Sequence, residues 1–231
     1  ACNELGMLMM DEVYDGWAYA KNGNSNDFSK YFNQTLGENN HLIGGSSDEK
    51  WYQFALESFV NRDKNDPSVV MWSIGNEINF GVPGTTNPTY VTEYEGYASN
   101  MIQWIQDIDP TKPITHGDNN VAGNASDLRT HVDELLAASG GVVGLNYSPG
   151  VYGSLHQRKP DWCLVGSETV SAINSRGIYS TKSQFSQTGN YQNTAYDTHA
   201  VDWGQTARNA WLPVIKNDFM SGTFVWTGFD Y

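Results

Sequence analysis

Short apolar runs alternate with helix-length amphipathic stretches along the whole chain, and this alternation constrains the fold more than any other feature. The runs cover residues 6–10, 68–74, 112–115, 141–145, 162–166 and 222–226. Most are continuous in their apolar character, as expected of parallel strands buried on both faces. Helix signals fall between them. Ser46-Ser47-Asp48-Glu49 offers a capping box ahead of Trp51, Phe54, Ala55 and Phe59. Tyr94, Tyr97, Met101, Ile105 and Ile108 form a stripe that Pro110 closes. The stretch Leu128–Ala138 stops at Gly140. Ala200, Ala207, Trp211, Val214 and Ile215 make the last stripe, with Pro213 expected to kink it or end it early.

Strand, helix and strand repeated in this way define an α/β protein with a parallel sheet. A doubly wound sheet usually carries a glycine-rich turn after its first strand. The first run here leads instead into Asp11-Glu12-Val13-Tyr14-Asp15, so a (β/α)8 TIM barrel is the favoured architecture. Segments 20–45 and 169–198 are too long and polar for simple connections. In a barrel they read as site-building βα loops, and otherwise as surface loops.

At 231 residues the chain can bury a sizeable core as one large domain or two small ones. Its net charge of −13 leaves no electrostatic footprint for nucleic acid. Cys2 and Cys163 have neither metal-ligand spacing nor a disulfide framework, and Cys163, inside an apolar run, reads as an inert core thiol. No apolar stretch approaches the length of a membrane span. Eight Trp and thirteen Tyr exceed what a core alone requires and suit sugar-binding clefts, cores and interfaces alike.

The ends of the runs carry the chemistry. They finish in Asp11-Glu12, Asn76-Glu77, His116-Gly117-Asp118, Asn146-Tyr147, Ser167-Glu168 and Trp226-Thr227. The C-terminal strand ends of a parallel barrel share one face, where barrel enzymes place their active sites. A single polar residue there can equally cap the next helix. Six such ends with several carboxylates and no basic cluster argue for an acidic cleft. Two strand-end glutamates suit glycoside hydrolysis, in which one protonates the leaving oxygen while the other attacks the anomeric carbon or activates water. Phosphoryl transfer would want a phosphate cradle, which is absent. Acyl transfer would want a nucleophile elbow, and Ser167 lacks the flanking glycines.

The fifteen residues from Asp63 to Glu77, ending Trp72-Ser73-Ile74-Gly75-Asn76-Glu77, resemble the acid/base signature of glycoside hydrolase family 2. Leu5 to Glu12 resembles that family's third barrel strand, and Gly222 to Gly228 its eighth. Gly166-Ser167-Glu168-Thr169 followed by Ser175-Arg176-Gly177 resembles the nucleophile strand of its bacterial β-galactosidase branch. The resemblance implies that residues 1–231 are a partial catalytic barrel domain. Strands three to eight are present, while the first two strands, the last helix and other domains lie outside this chain, which is then expected to be inactive alone.

For the site, the resemblance implies Glu77 as general acid/base and Glu168 as nucleophile. Asn76 would bind the sugar 2-hydroxyl, Tyr147 would hold Glu168, and Trp226 would form the floor under the sugar ring. Asp118 would bind a ring hydroxyl, with Asn119 as its rival. His116 and Trp17 are weaker substrate-binding candidates, each with a packing alternative. Asp11 and Glu12 would orient the site, and Arg176 would pair with a cleft carboxylate or pin its own loop. Some members carry a Glu-x-His magnesium pair after the third strand. Asp15-Gly16-Trp17 supplies none, so no metal or cofactor is expected. The function implied is retaining hydrolysis of terminal β-galactosides, in a protein with carbohydrate as substrate, no membrane partner and oligomerisation open. β-Glucuronidase or β-mannosidase activity and a non-catalytic sugar-binding module are the alternatives.

Overall fold

The computed structural model describes residues 1–120, 124–179 and 193–228. The chain divides into two compact units, Ala1–Val143 and Gly144–Tyr231.

The first unit runs α1 (Cys2–Leu5), β1 (Met9–Glu12), α2 (Ser29–Phe32), α3 (Trp51–Asp63), β2 (Val69–Asn76), α4 (Pro88–Ile108), β3 (Ile114–Asp118) and α5 (Leu128–Ala138). Strand β2 lies between β1 and β3 and is parallel to both, with Glu12 opposite Ser73 and Asn76 opposite Gly117. Six of its eight residues are buried, so both faces are covered, as its continuous apolar run required. Helix α4 begins at Asn87, whose side chain accepts the Thr89 N–H, with Pro88 in the first turn. Its stripe Tyr94, Tyr97, Met101 and Ile105 is buried as expected. Helix α5 begins at Asp127, which accepts the Arg129 N–H, and ends before Gly140 at φ 79°.

Much of the aromatic excess is core. Tyr14, Trp17, Phe32, Tyr52, Trp72, Tyr94 and Tyr97 are buried in this unit, with Phe32 stacked on Tyr52 at 4.6 Å.

The second unit follows with β4 (Val143–Asn146), which begins at the unit boundary, then α6 (Tyr152–Arg158), β5 (Leu164–Val170), α7 (Ala207–Ile215) and β6 (Met220–Trp226). Strand β4 neighbours β5, and β5 runs parallel to β6, with Val170 opposite Trp226.

Strands β1 to β5 begin one to three residues after the starts of their apolar runs and end later than the runs do, whereas β6 begins two residues before its run and ends with it. Four expectations need correction. Helix α3 is capped at Lys50 without a side-chain bond, because Glu49 turns back onto the Ser46 N–H (3.1 Å) and closes a turn before the helix. Pro213 sits inside α7, which continues to Ile215 rather than ending early at the proline, and Ala200 lies outside that helix. Trp211 and Ile215 are half exposed, so the buried face of α7 is Ala210 and Val214. Cys163 is exposed, because β5 begins only at Leu164. Residues 180–192 of the long 169–198 segment lie outside the described residues.

Candidate active site

In the first unit Asn76 is the last residue of β2, and Glu77 follows it with φ 47°. A residue with a Cβ enters this left-handed region at a cost on the order of 1–3 kcal/mol, so neighbours must hold it there. The Glu77 N–H donates to the Gly117 carbonyl at the end of β3, at 2.8 Å. Both Asn76 and Glu77 are half-buried. On the neighbouring β1 the Glu12 carboxylate accepts the Ser73 hydroxyl at 2.7 Å. Burial, reinforced by the Asp63 carboxylate in the last turn of α3, raises the pKa of Asp11 to about 6.

In the second unit Glu168 lies within β5, half-buried between the buried Ser167 and Thr169. Its backbone carbonyl accepts the Tyr147 N–H at 2.9 Å. Tyr147 directly follows β4 and has φ 47°. Its hydroxyl lies 2.5 Å from Ser171 Oγ. The Ser167 hydroxyl donates to the Asn146 side-chain oxygen at 2.7 Å, which ties β5 to β4. Trp226 ends β6 with 42% of its surface exposed. Among the described residues five non-glycines have positive φ. Four of them, Glu77, Tyr147, Val170 and Ser171, stand at or just beyond strand ends.

Three candidates are corrected. Trp17 has no exposed surface: its indole N–H donates to the Ile74 carbonyl at 2.7 Å and its ring stacks on Tyr94 at 5.0 Å. A Cβ on Gly75 would stand 2.6 Å from that indole nitrogen, so the close packing requires glycine. Trp17 is a loop anchor. His116 is also fully buried, with Nε2 2.8 Å from an Asp133 oxygen on α5. Asp118 is 1% exposed and accepts the Asn120 N–H at 2.8 Å. Side chains without accessible surface touch no ligand, so His116 and Asp118 support the strand end from behind.

Burial holds His116 neutral, with its pKa pushed down to about 4. Burial, reinforced by the Asp133 carboxyl, lifts Asp118 to about 7, and burial also raises Asp133. Arg129 grips Asp127 through two nitrogens at 2.9 and 3.0 Å and donates to the half-buried Asn119, the rival of Asp118, at 2.6 Å. Arg176 is exposed.

Sequence reasoning missed Lys21. Its ammonium donates to Asp15 Oδ1 at 2.7 Å and to the Asn76 backbone carbonyl at 3.4 Å. Lys21 lies in the polar 20–45 segment, and nothing in the sequence links it to a residue 55 positions away. With Asp15 paired to an ammonium and Trp17 an indole in the core, these residues do not fit a divalent cation.

Parallel strands joined through helices, with polar and acidic residues at or near several of their C-terminal ends, are the arrangement on which TIM-barrel enzymes build their active sites. Residues 1–221 match the family described as "Glycosyl hydrolases family 2, TIM barrel domain", and the chain belongs to that family. It is 28% identical over 270 residues to the β-galactosidase BoGH2A of Bacteroides ovatus, covering all of this chain and 28% of that protein. A solved glycosyl hydrolase family 2 member from Bacteroides cellulosilyticus superposes with a TM-score of 0.63 at 26% identity, over all of this chain and 21% of that one. A Bacteroides uniformis β-glucuronidase shares the fold with a TM-score of 0.62 at 16% identity, again over all of this chain and 24% of that one. The chain thus spans less than a third of the length of these relatives. No helix among the described residues is long and apolar enough to cross a membrane.

Proposed function

We propose that the chain carries the catalytic centre of a retaining β-glycosidase acting on terminal β-galactosides, within a longer multidomain protein. Glu168 attacks the anomeric carbon, and the glycosidic bond breaks as the Glu77 carboxyl gives its proton to the leaving oxygen. Glu77, now a carboxylate, takes a proton from water. The water oxygen attacks the same carbon and releases Glu168. Asn76 binds the 2-hydroxyl and Trp226 provides an apolar surface for the sugar ring.

The observation that carries this reading is two half-buried glutamates, one directly after β2 and one two residues before the end of β5, each with its backbone hydrogen-bonded at the C-terminal end of the neighbouring strand. Likeness to the Bacteroides ovatus β-galactosidase favours galactose as the glycone. The test is to assay the full-length protein that contains this chain on nitrophenyl β-galactoside, β-glucuronide and β-mannoside in parallel. The galactoside should turn over fastest, and Glu168→Gln should abolish turnover, because an amide cannot serve as the nucleophile. Preference for the glucuronide or mannoside overturns the substrate, and undiminished activity in Glu168→Gln overturns the mechanism.

A further inference from the structure

The peptide group joining Asn76 to Glu77 is held from two sides. Its N–H donates to the Gly117 carbonyl (2.8 Å), and its carbonyl accepts from the Lys21 ammonium (3.4 Å). The same ammonium donates to Asp15 Oδ1 at 2.7 Å and to the Asp15 carbonyl at 3.4 Å, so its three N–H bonds all have acceptors. Asp15 Oδ1 also accepts from the Asn76 amide nitrogen at 3.3 Å, which orients that side chain.

Lys21 is itself well fixed. Its side chain is only 15% exposed, with the ammonium 5.5 Å from the centre of the Phe80 ring. Its backbone N–H donates to Asp27 at 2.9 Å. The preceding residue packs so closely that a Cβ on Gly81 would stand 2.4 Å from the Ala20 carbonyl oxygen.

We propose that Lys21 and Asp15 form a built-in cationic clamp that positions the Asn76–Glu77 peptide for acid catalysis. Both are positioning residues: Lys21 acts through the peptide carbonyl, and Asp15 through the ammonium and the Asn76 amide. The physical need comes from Glu77. Its left-handed backbone is a sparsely populated state, and rotation of the preceding peptide would swing the carboxyl away from the leaving oxygen. Misplacing a catalytic group by about 1 Å costs on the order of 100-fold in rate. The proposal rests on the reading of Glu77 as the acid/base.

The test uses the full-length protein and a series of β-galactosides running from dinitrophenyl through nitrophenyl and phenyl to methyl. Lys21→Met keeps the hydrophobic stem over Phe80 and removes the donor. It should lower kcat/KM by up to about 100-fold on the phenyl and methyl substrates, the scale of a misplacement of about 1 Å. The dinitrophenyl substrate, which barely needs a proton, should lose far less. Lys21→Arg, which keeps a donor and a charge, should recover most of the loss. Asp15→Asn, which preserves shape, should show the same leaving-group dependence and serves if Lys21→Met does not fold. An equal loss across the series, or no loss, in a variant that melts like the wild type overturns the clamp. If the wild type hydrolyses no β-glycoside, or Glu77→Ala retains full activity on the methyl substrate, the catalytic reading itself has failed.

Discussion

Glu77 and Trp17 show two fates for residues next to the same strand. Glu77 is turned into a left-handed conformation at the end of β2 and stays half-buried, whereas Trp17 is drawn fully under that strand and hydrogen-bonded to its backbone. Trp17→Ala should therefore destabilise the protein by about 3–5 kcal/mol, the usual range for removing a buried aromatic. Chemical denaturation of the full-length protein measures it, and a loss below about 1 kcal/mol, the level of a surface substitution, would refute the anchoring role. Glu77→Ala should spare substrates with very good leaving groups, and added azide should then trap the glycosyl-enzyme as a β-glycosyl azide. Product stereochemistry read by NMR decides this, and an α-azide would contradict retention. The proposal of Glu77 and Glu168 as the working pair was legible in their position after apolar runs. That His116, Asp118 and Trp17 are inaccessible was not, because a polar or aromatic residue at a strand end has the same sequence signature whether it faces the cleft or the helix behind.

At the scale of elements, apolar runs locate the strands but misplace their ends. Hydrophobicity marks where a strand is covered, while hydrogen bonding continues it into the polar residues of the site. Hence β2 ends at Asn76 and β3 at Asp118, beyond the ends of their apolar runs at 74 and 115. Helix ends show the same limit: the capping-box letters at 46–49 close a turn, because the box needs its glutamate three residues inside a helix that starts later. The C-terminus of α4 carries a device the sequence did not signal. Asp109, 5% exposed, accepts from Trp72 of β2 at 3.0 Å, from Lys112 at 2.6 Å and from the Thr111 N–H at 3.1 Å. Burial would raise its pKa, but the hydrogen bonds from Lys112, Thr111 and Trp72 prevail and hold it at about 2. Asp109→Ala leaves Lys112 and the Trp72 indole without their shared acceptor. It should cost about 3–5 kcal/mol, as when one partner of a buried pair is removed. A midpoint in urea unchanged from wild type would show that the clasp between β2 and α4 contributes nothing.

For the whole molecule the buried groups behind β3 set a pH dependence. Asp118 has its pKa raised from 3.8 to about 7. The folded protein therefore keeps a proton that the unfolded chain releases, and the stability this gives is complete below pH 3.8 and lost as the pH rises to about 7. His116, lowered from 6.5 to about 4, works in the opposite sense: its contribution is complete above pH 6.5 and lost as the pH falls to about 4. Asp118→Asn removes the first dependence and leaves the second. Its melting temperature should gain steadily on the wild type between about pH 4 and 7 and run parallel above that. A difference that stays constant across this window would show that Asp118 does not hold its proton in the folded state.

The sequence by itself determined the α/β alternation, the parallel strands and the family, and it singled out the two glutamates proposed as the catalytic pair. Each of these is written in local patterns: covered runs, turn residues and a fifteen-residue block. Only the tertiary structure decided which strand-end residues can reach a ligand and which loop residue supports Asn76. Accessibility and the Lys21 contact depend on helices packing behind the strands and on a loop folding back across 55 residues. Side chains brought together over such separations are selected by the packed fold, and no local pattern encodes them.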